Sequence, residues 1–210
     1  MGIRFPTFLL AALLAAATVA PAAAAQEPNA VPKGKLIEPP ANLPKPQKGD
    51  PTRNLDFMFE ALKLAPDDTS AKAIEQRIWA LWFLTKSDTA NILMTRVKTA
   101  VEAKDLDLAI KLLDGIIKIK PDYVEAWNRR ATLHYMKKDF GQALSDIREV
   151  LRREPRHFGA LSGLGLILQE VGDDKHALEV YRRALEVYPR IERIPDLVKS
   201  LAEKVEGRDI

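Results

Sequence analysis

Histidines are the side chains of this sequence best suited to bind a metal or act as a general base. His134, His157 and His176 lie 23 and 19 positions apart, so no two share a helical turn as the histidines of an HExxH site do. The chain has no cysteine, which excludes disulfides, thiolate metal ligands and cysteine nucleophiles. We therefore predict no metal site and no cofactor.

Glycine and acidic residues indicate no catalytic site. The run from Gly163 to Gly165 begins like a phosphate-binding loop, but it lies in a helical pattern and lacks the third glycine and the Lys-Ser/Thr pair. Acidic residues pair with basic ones along helical faces, as Glu179 does with Arg183 four positions later. We predict that the protein is not an enzyme and has no catalytic residue. A hydrolase or carbohydrate-processing accessory with a hidden site is a remaining alternative.

Composition allows a sizeable core and argues against nucleic-acid binding. Of the 210 residues, 47% are hydrophobic and 29% are charged, which is ordinary for a soluble domain. The 32 basic and 29 acidic residues leave a net charge of only +3. Nucleic-acid binding usually requires a concentrated basic patch, and this excess is too small to predict one.

Residues 1–25 predict a signal peptide. Arg4 supplies a positive charge, residues 8–20 form an uncharged apolar run, and small residues lead to a cleavage point after Ala25. The alternative is an uncleaved anchor, because residues 5–25 are long enough to span a membrane marginally. The alanine-rich composition is typical of bacteria, so we expect a periplasmic protein, or one anchored in the inner membrane if the segment is retained.

Residues 26–53 contain seven of the 14 prolines in the chain. Proline fixes φ and removes a backbone donor, so neither a helix nor a central strand is expected here. We predict an extended, disordered linker. A docking peptide for an aromatic groove is the alternative to a simple spacer.

A period of 34 residues organises the rest of the chain. Pro121, Pro155 and Pro189 are 34 positions apart, and so are Ala143 and Ala177. A period of this size is typical of stacked helix pairs. We predict an all-α fold, an α–α superhelix built as a solenoid of antiparallel helix pairs. Its parts would be a degenerate hairpin at 54–89, repeats at 90–121, 122–155 and 156–189, and a capping helix in 190–210.

The first hairpin differs from the repeats. Its second helix, predicted at about 70–86, is apolar almost all round, and such a helix is buried on more than one side. We interpret Trp79, Trp82 and Phe83 as core, with an exposed aromatic binding site as the alternative. We interpret the pair as an extra hairpin stacked on the same solenoid.

The block at 124–189 resembles the tetratricopeptide repeat family. In that family position 4 is bulky, position 8 is Gly or Ala, positions 20 and 27 are Ala, and position 32 is Pro. The residues that carry the resemblance, and that would pack the repeats together, are Trp127, Ala131, Ala143, Pro155, Leu161, Gly165, Ala177, Ala184 and Pro189. The resemblance implies that Gly165 and Ala177 lie where two helices cross, and that the protein holds other proteins.

The resemblance also implies that positions 2, 5, 6, 9 and 12 of each first helix face a concave, partner-binding groove. The expected lining is Asn91, Met94, Thr95, Lys98 and Val101 in the first repeat, Glu125, Asn128, Arg129, Thr132 and Tyr135 in the second, and Gly159, Ser162, Gly163, Leu166 and Gln169 in the third. Glycine inside a helix costs about 1 kcal/mol relative to alanine. We hypothesise that Gly159, Ser162 and Gly163 form a recess for a partner's apolar side chain. Alternatively, Gly163 makes room for a neighbouring helix.

The groove lacks the carboxylate clamp of some family members, because the corresponding places hold Met94, Lys98, Gly159 and Gly163. Arg129 alone could pair with a carboxylate. We predict an exported protein–protein interaction scaffold or adaptor whose partner is a protein or peptide of the cell envelope, with no nucleic acid and no small-molecule substrate. The alternative is a structural subunit of an envelope or secretion complex, permanently packed or self-associated.

Overall fold

The computed structural model describes residues 55–207, and within them the secondary structure is entirely α-helical. The all-α solenoid predicted from the 34-residue period is confirmed. The predicted signal peptide and proline-rich linker lie outside the described residues. The helices are α1 (Leu55–Lys63), α2 (Asp68–Trp82), α3 (Asp88–Glu102), α4 (Leu106–Ile119), α5 (Val124–Met136), α6 (Phe140–Arg153), α7 (Phe158–Glu170), α8 (Asp174–Val187) and α9 (Ile194–Val205).

Short polar side chains begin most of these helices. An aspartate or serine at the N-cap accepts a backbone N–H from the first turn, which satisfies a donor that the helix leaves unpaired. The capping residues are Asp67, Ser87, Asp105, Asp139 and Asp173, for α2, α3, α4, α6 and α8. These caps fix where each helix starts, so the helices with an aspartate cap are also those whose starts the sequence locates best.

A left-handed residue closes the first helix of each repeat. Lys104, Lys138 and Gly172 have φ values of 60°, 62° and 84°, and they lie one 34-residue period apart. The left-handed conformation costs a lysine about 1 kcal/mol, whereas glycine adopts it freely. The turn geometry is therefore kept in all three repeats even where the sequence does not favour it.

The repeats are the hairpins α3–α4, α5–α6 and α7–α8, which pack side by side through α4 against α5 and α6 against α7. The close approach predicted at Gly165 is present, because a Cβ there would lie 2.3 Å from the ring of Tyr181 in α8. Ala177 is fully buried in the same hairpin. Helix α9 packs on α8 and buries Ile194 and Leu201, which closes the C-terminal end of the stack.

The hairpin α1–α2 does not stack on the end of the first repeat, although it precedes that repeat in the chain. In the third repeat, Ala160 and Ile167 are buried against the preceding repeat. The equivalent residues of α3, 68 positions earlier, are Ile92 and Thr99, and both are exposed. A stacked hairpin would cover them. The face of α3 that would receive it is polar around Ile92, as the outer face of a terminal repeat usually is.

Helices α1 and α2 pack instead on the third repeat. Helix α1 contacts α8, and one core cluster joins Phe59 and Trp79 of this pair to Phe158 and Tyr181 of the third repeat. Helix α2 carries apolar residues on more than one side and therefore needs cover on more than one side. The third repeat, with its small residues, provides that cover, and the polar face of α3 does not.

Candidate partner-binding face

The inner face comprises positions 2, 5, 6, 9 and 12 of α3, α5 and α7, and its exposure changes along the stack. In α3 the side chains are open: Asn91, Thr95 and Lys98 are exposed, and Met94 and Val101 are half-buried. In α5 two are closed and three partly open: Glu125 and Asn128 are buried, whereas Arg129, Thr132 and Tyr135 are half-buried. In α7 the face is closed: Gly159, Ser162, Gly163 and Leu166 are buried, and Gln169 is half-buried.

The chain's own Trp79 contacts the hypothesised recess. A Cβ at Gly159 would lie 2.8 Å from Cη2 of Trp79, and Trp79 is completely buried. Its ring also packs edge-on against Phe158, with 5.3 Å between centroids. The small residue at position 2 of α7 thus accommodates an indole from the same molecule. Trp79 and Trp82 are core residues, as the sequence predicted.

A buried histidine joins α2 to the first helices of two repeats. His157 Nδ1 accepts the backbone N–H of Ala160 at 3.1 Å and so caps α7. Its Nε2 lies 2.7 Å from Oε1 of Glu125, and both side chains are fully buried. Because Nδ1 is an acceptor, the ring hydrogen is on Nε2, and Nε2–H donates a hydrogen bond to Oε1 of Glu125. Trp82 stacks on the imidazole, with 4.0 Å between centroids and 11° between planes.

A buried carboxylate fastens the other side of α2. Glu75 accepts hydrogen bonds from Trp79 Nε1 and from the Tyr188 hydroxyl, each at 3.2 Å, and it pairs with Lys72 at 2.9 Å. Burial, and then the negative charge of Glu75, raises the pKa of Tyr188 well above its ordinary value, so the phenol remains a donor. A buried charge is tolerated when it is paired and fully hydrogen-bonded, as this one is.

The C-terminal end of α2 reaches the second repeat. The Tyr123 hydroxyl donates to the backbone carbonyl of Phe83 at 3.1 Å, and burial raises the pKa of Tyr123, which keeps that hydroxyl protonated. The guanidinium carbon of Arg129 lies 4.6 Å from the centroid of the Phe83 ring. Arg129 is therefore placed on the inner face by an aromatic ring that does not belong to the repeats.

The far end of the inner face has an aromatic and charged rim. Tyr135 packs against Phe140, and Lys138 lies 5.6 Å from the Tyr135 ring while pairing with Glu170 at 3.4 Å. Burial, and then the charge of Glu170, raises the pKa of Tyr135. This rim remains half-open.

The predicted repeat-packing residues lie at the helix contacts and hairpin ends. Trp127 is half-buried between the guanidinium groups of Arg130 and Arg153, each 5.0 Å from its ring. Arg130 forms a two-point bond to the buried Asp146 and a further bond to Asp114 of the preceding repeat, and the bonds to Asp146 raise the pKa of Arg130. Ala131, Ala143, Leu161, Gly165, Ala177 and Ala184 are buried, whereas Pro155 and Pro189 are exposed.

Sequence reasoning missed that the aromatic helix and the glycine-rich helix are partners. Both signals were visible, one around Trp79 and one around Gly159, but 80 positions separate them and no repeat register relates them. The role of His157 was also missed, because histidine caps a helix only when Nδ1 is the acceptor, and here Glu125 determines that tautomer.

The part of the chain that the structure describes contains neither a candidate metal cluster nor a membrane-spanning helix. Across residues 55–207, no cluster of three or more His, Asp or Glu side chains could hold a metal ion. None of the helices in that range is long and apolar enough to cross a membrane.

Comparison with known proteins agrees with the architecture. The tetratricopeptide repeat family matches residues 94–146 and 138–190. A TPR repeat-containing protein of Rhizobium etli is 41% identical over 157 residues, covering 75% of this chain and 77% of that protein. This chain therefore belongs to the tetratricopeptide repeat family, whose members act as protein–protein interaction scaffolds, typically without enzymatic activity.

More distant relatives share the fold. The small glutamine-rich tetratricopeptide repeat-containing protein 2 of Saccharomyces cerevisiae is 24% identical over 152 residues, which cover 72% of this chain but 38% of that protein. The first TPR of Spaghetti (RPAP3) superposes with a TM-score of 0.54 at 18% identity, over 59% of this chain and 98% of that one. The Sgt2 TPR domain of Aspergillus fumigatus gives 0.52 at 21% identity, over 57% and 81%.

Proposed function

We propose that this protein is an exported, non-enzymatic scaffold that binds a protein or peptide segment on the part of the inner face that α2 leaves open. One observation carries the proposal: the inner positions of α3 are exposed, whereas the equivalent positions of α7 are buried. Exposed polar side chains beside half-buried Met94 and Val101 provide both hydrogen-bonding groups and apolar surface, as peptide-binding faces do.

A partner would bind beside α2 and would not displace it. Met58, Phe59, Leu62, Ile78 and Trp79 of the α1–α2 hairpin are all at most 2% exposed. At about 2 kcal/mol for each large apolar side chain, their burial contributes on the order of 10 kcal/mol. A ligand of micromolar affinity supplies about 8 kcal/mol in total. Part of this burial is between α1 and α2 themselves, but detaching the hairpin would still consume much of the binding energy of such a ligand.

Structural neighbours support a peptide as the class of partner. The first TPR of Spaghetti (RPAP3) is bound to an HSP90 peptide, and the TPR2B domain of yeast Sti1 forms a complex with pHsp70. Those partners belong to those proteins. We carry over only the class of partner, which is a segment of another protein.

The exported location rests on residues 1–25, whose charge, apolar run and small residues are those of a signal peptide. A fusion of residues 1–60 to a reporter that is active only outside the cytoplasm would test it. We expect activity from this fusion and none when the apolar run is interrupted by two arginines. An active reporter in both fusions, or in neither, would contradict export by this segment.

Site-specific photocrosslinking tests the binding face. A photoreactive residue at Thr95, on the exposed inner face of α3, should crosslink a partner in the native host. Lys111 of α4, exposed on the second helix of the same hairpin, is the matched control position. We expect a crosslinked product from Thr95 and not from Lys111. Products from Lys111 alone would place the partner on the outer layer and would reject the proposed face.

A further inference from the structure

Arg129 is a partly buried cation that contacts an aromatic ring and no carboxylate among residues 55–207. Its Nε is buried without a hydrogen-bond partner, and its guanidinium rests on the Phe83 ring at 4.6 Å. A partly buried positive charge with no opposite charge beside it is costly, so a ligand that brings a carboxylate to the open side of this guanidinium would be favoured.

Other partly buried arginines show what the fold does with such a group. Arg130, Arg153 and Arg156 each bond to at least one carboxylate within the described part of the chain. The acid one helical turn before Arg129 is Glu125, and its carboxylate is already held by His157 and by Asn128. Arg129 therefore differs from Arg130, Arg153 and Arg156, because the acid closest to it along its helix is already bonded to other side chains.

The ring beneath Arg129 determines which atoms a ligand can reach. Nε is buried, so a ligand that reaches this half-buried guanidinium must bond through Nη1 and Nη2. These two donors match the two oxygens of a carboxylate, and the contact with the Phe83 ring, 4.6 Å from the guanidinium carbon, restricts where the fork can lie. Lys98 lies on the open inner face of α3 with a side chain 67% exposed, and its nearest acid, Glu102, is 3.9 Å away.

We propose that Arg129, oriented by Phe83, is the specificity residue of the open inner face and selects a peptide segment bearing an aspartate or glutamate side chain. This inference rests on the proposed function and adds the chemistry of the partner to it. The subsite is assembled from α5 and from the non-repeat residue Phe83. It differs from the carboxylate clamp considered above, whose places hold Met94, Lys98, Gly159 and Gly163.

Selection from a displayed library of random peptides tests the proposal without a known partner. The full-length protein is the bait, and selected peptides are crosslinked through a photoreactive residue at Thr95 to show that they occupy the inner face. We expect the selected peptides to share an acidic residue at one position. Replacing that residue by its amide should weaken binding by at least about tenfold, and raising the salt concentration should weaken it further.

Variants of the protein, combined with the peptide variants, form a double-mutant cycle between Arg129 and the acidic residue of the peptide. Arg129→Gln should bind the acidic peptide about tenfold more weakly than the wild type does. Once Arg129 is Gln, replacing the acid of the peptide by its amide should change the affinity by less than about twofold. Phe83→Leu should weaken binding by about threefold through the lost ring contact. Arg96→Gln removes an equal charge from the exposed far side of α3 and should bind as the wild type does. All variants must match the wild type in helicity and melting temperature. Arg129→Lys keeps the positive charge but removes the two-donor fork of Nη1 and Nη2, so it tests the fork separately from the charge.

The outcomes separate the two proposals. Peptides that crosslink at Thr95 but carry no shared acid, or that bind Arg129→Gln as well as wild type, overturn the role of Arg129 and leave the binding face intact. A library that yields no binder, or only binders that do not crosslink at Thr95, overturns the proposed face and this inference with it.

Discussion

The inner faces of the first and third repeats occupy the same positions of the same structural unit, yet only the third is covered. Position 2 is the exposed Asn91 in α3 and the buried Gly159 in α7, and position 6 is the exposed Thr95 in one and the buried Gly163 in the other. The difference comes from α2, which lies outside the repeats. Repeat position determines which way a side chain points, and the surrounding helices determine whether a partner can reach it.

Removing the indole of Trp79, which packs against the covered inner face of the third repeat, should have the largest effect on stability. Trp79→Ala should destabilise the protein by about 3–5 kcal/mol, because a fully buried ring is lost and a cavity remains against α7. Urea unfolding measures the change. Trp127→Ala, which truncates a half-buried tryptophan within the repeats, is the control and should cost less. Equal losses for the two would mean that α2 is not held by Trp79.

Placing alanine at position 2 of the first and third repeats should distinguish the closed face from the open one. Gly159→Ala places a Cβ 2.8 Å from the Trp79 ring and should cost about 1–3 kcal/mol. Asn91→Ala changes the same position of an exposed face and should stay within about 0.5 kcal/mol. Gly115→Ala, whose nearest contact is an ordinary 3.9 Å, should stabilise helix α4 by up to about 1 kcal/mol. A neutral Gly159→Ala would show that the recess is loosely filled.

Weakening the attachment of α2 at Glu75 should have a moderate effect confined to that helix. Tyr188→Phe removes the hydroxyl that donates to Glu75 and should cost about 1 kcal/mol. Hydrogen exchange should then show reduced protection in α2. Tyr181→Phe removes a comparable bond to Gln169 inside the α7–α8 hairpin and should leave α2 protection unchanged. Uniform loss of protection in both variants would argue against a distinct attachment site.

The smallest effect concerns the start of α2 and depends on pH. The Ser70 N–H, bonded to Asp67, lowers the pKa of that exposed carboxyl below its ordinary value. A lowered folded pKa means that the contribution to stability is present above the unfolded pKa, near 4, and is lost as the pH falls through the folded pKa. Asp67→Asn keeps an amide cap but does not titrate. The stability difference between wild type and variant should therefore shrink on acidification, as measured by urea unfolding at several pH values, and a constant difference would contradict this role.

The repeat architecture was predictable because each signal is local and recurs. Helices α4, α6 and α8 begin at Leu106, Phe140 and Asp174, 34 positions apart, and each begins directly after an aspartate cap, so the period and the caps together locate them. Helix α2 was predicted to extend to about residue 86 but ends at Trp82. The next carbonyl, that of Phe83, accepts the Tyr123 hydroxyl instead, and that contact spans 40 positions.

The closed part of the inner face was not predictable in the same way. The sequence indicated both a small-residue recess at Gly159 and a buried aromatic helix at Trp79, but the pairing of the two depends on where a non-repeat segment packs. One usable signal was missed: Arg96 and Thr99 of α3 are polar where the third repeat has Leu164 and Ile167, so the first repeat offers a stacked hairpin little apolar surface besides Ile92.

The packing of α2 on the third repeat has a consequence for how the chain folds. A linear repeat array contains contacts only between neighbours, so either end can unfold by itself. Here Glu75 bonds to Tyr188, 113 positions away, and Arg190 bonds to the carbonyl of Ala65, 125 positions away. Fraying of the last repeat would therefore release α2 as well, which links the two ends in one cooperative unit. Because such distant pairings form only after long loops close, folding should be slower than in an open array of equal length.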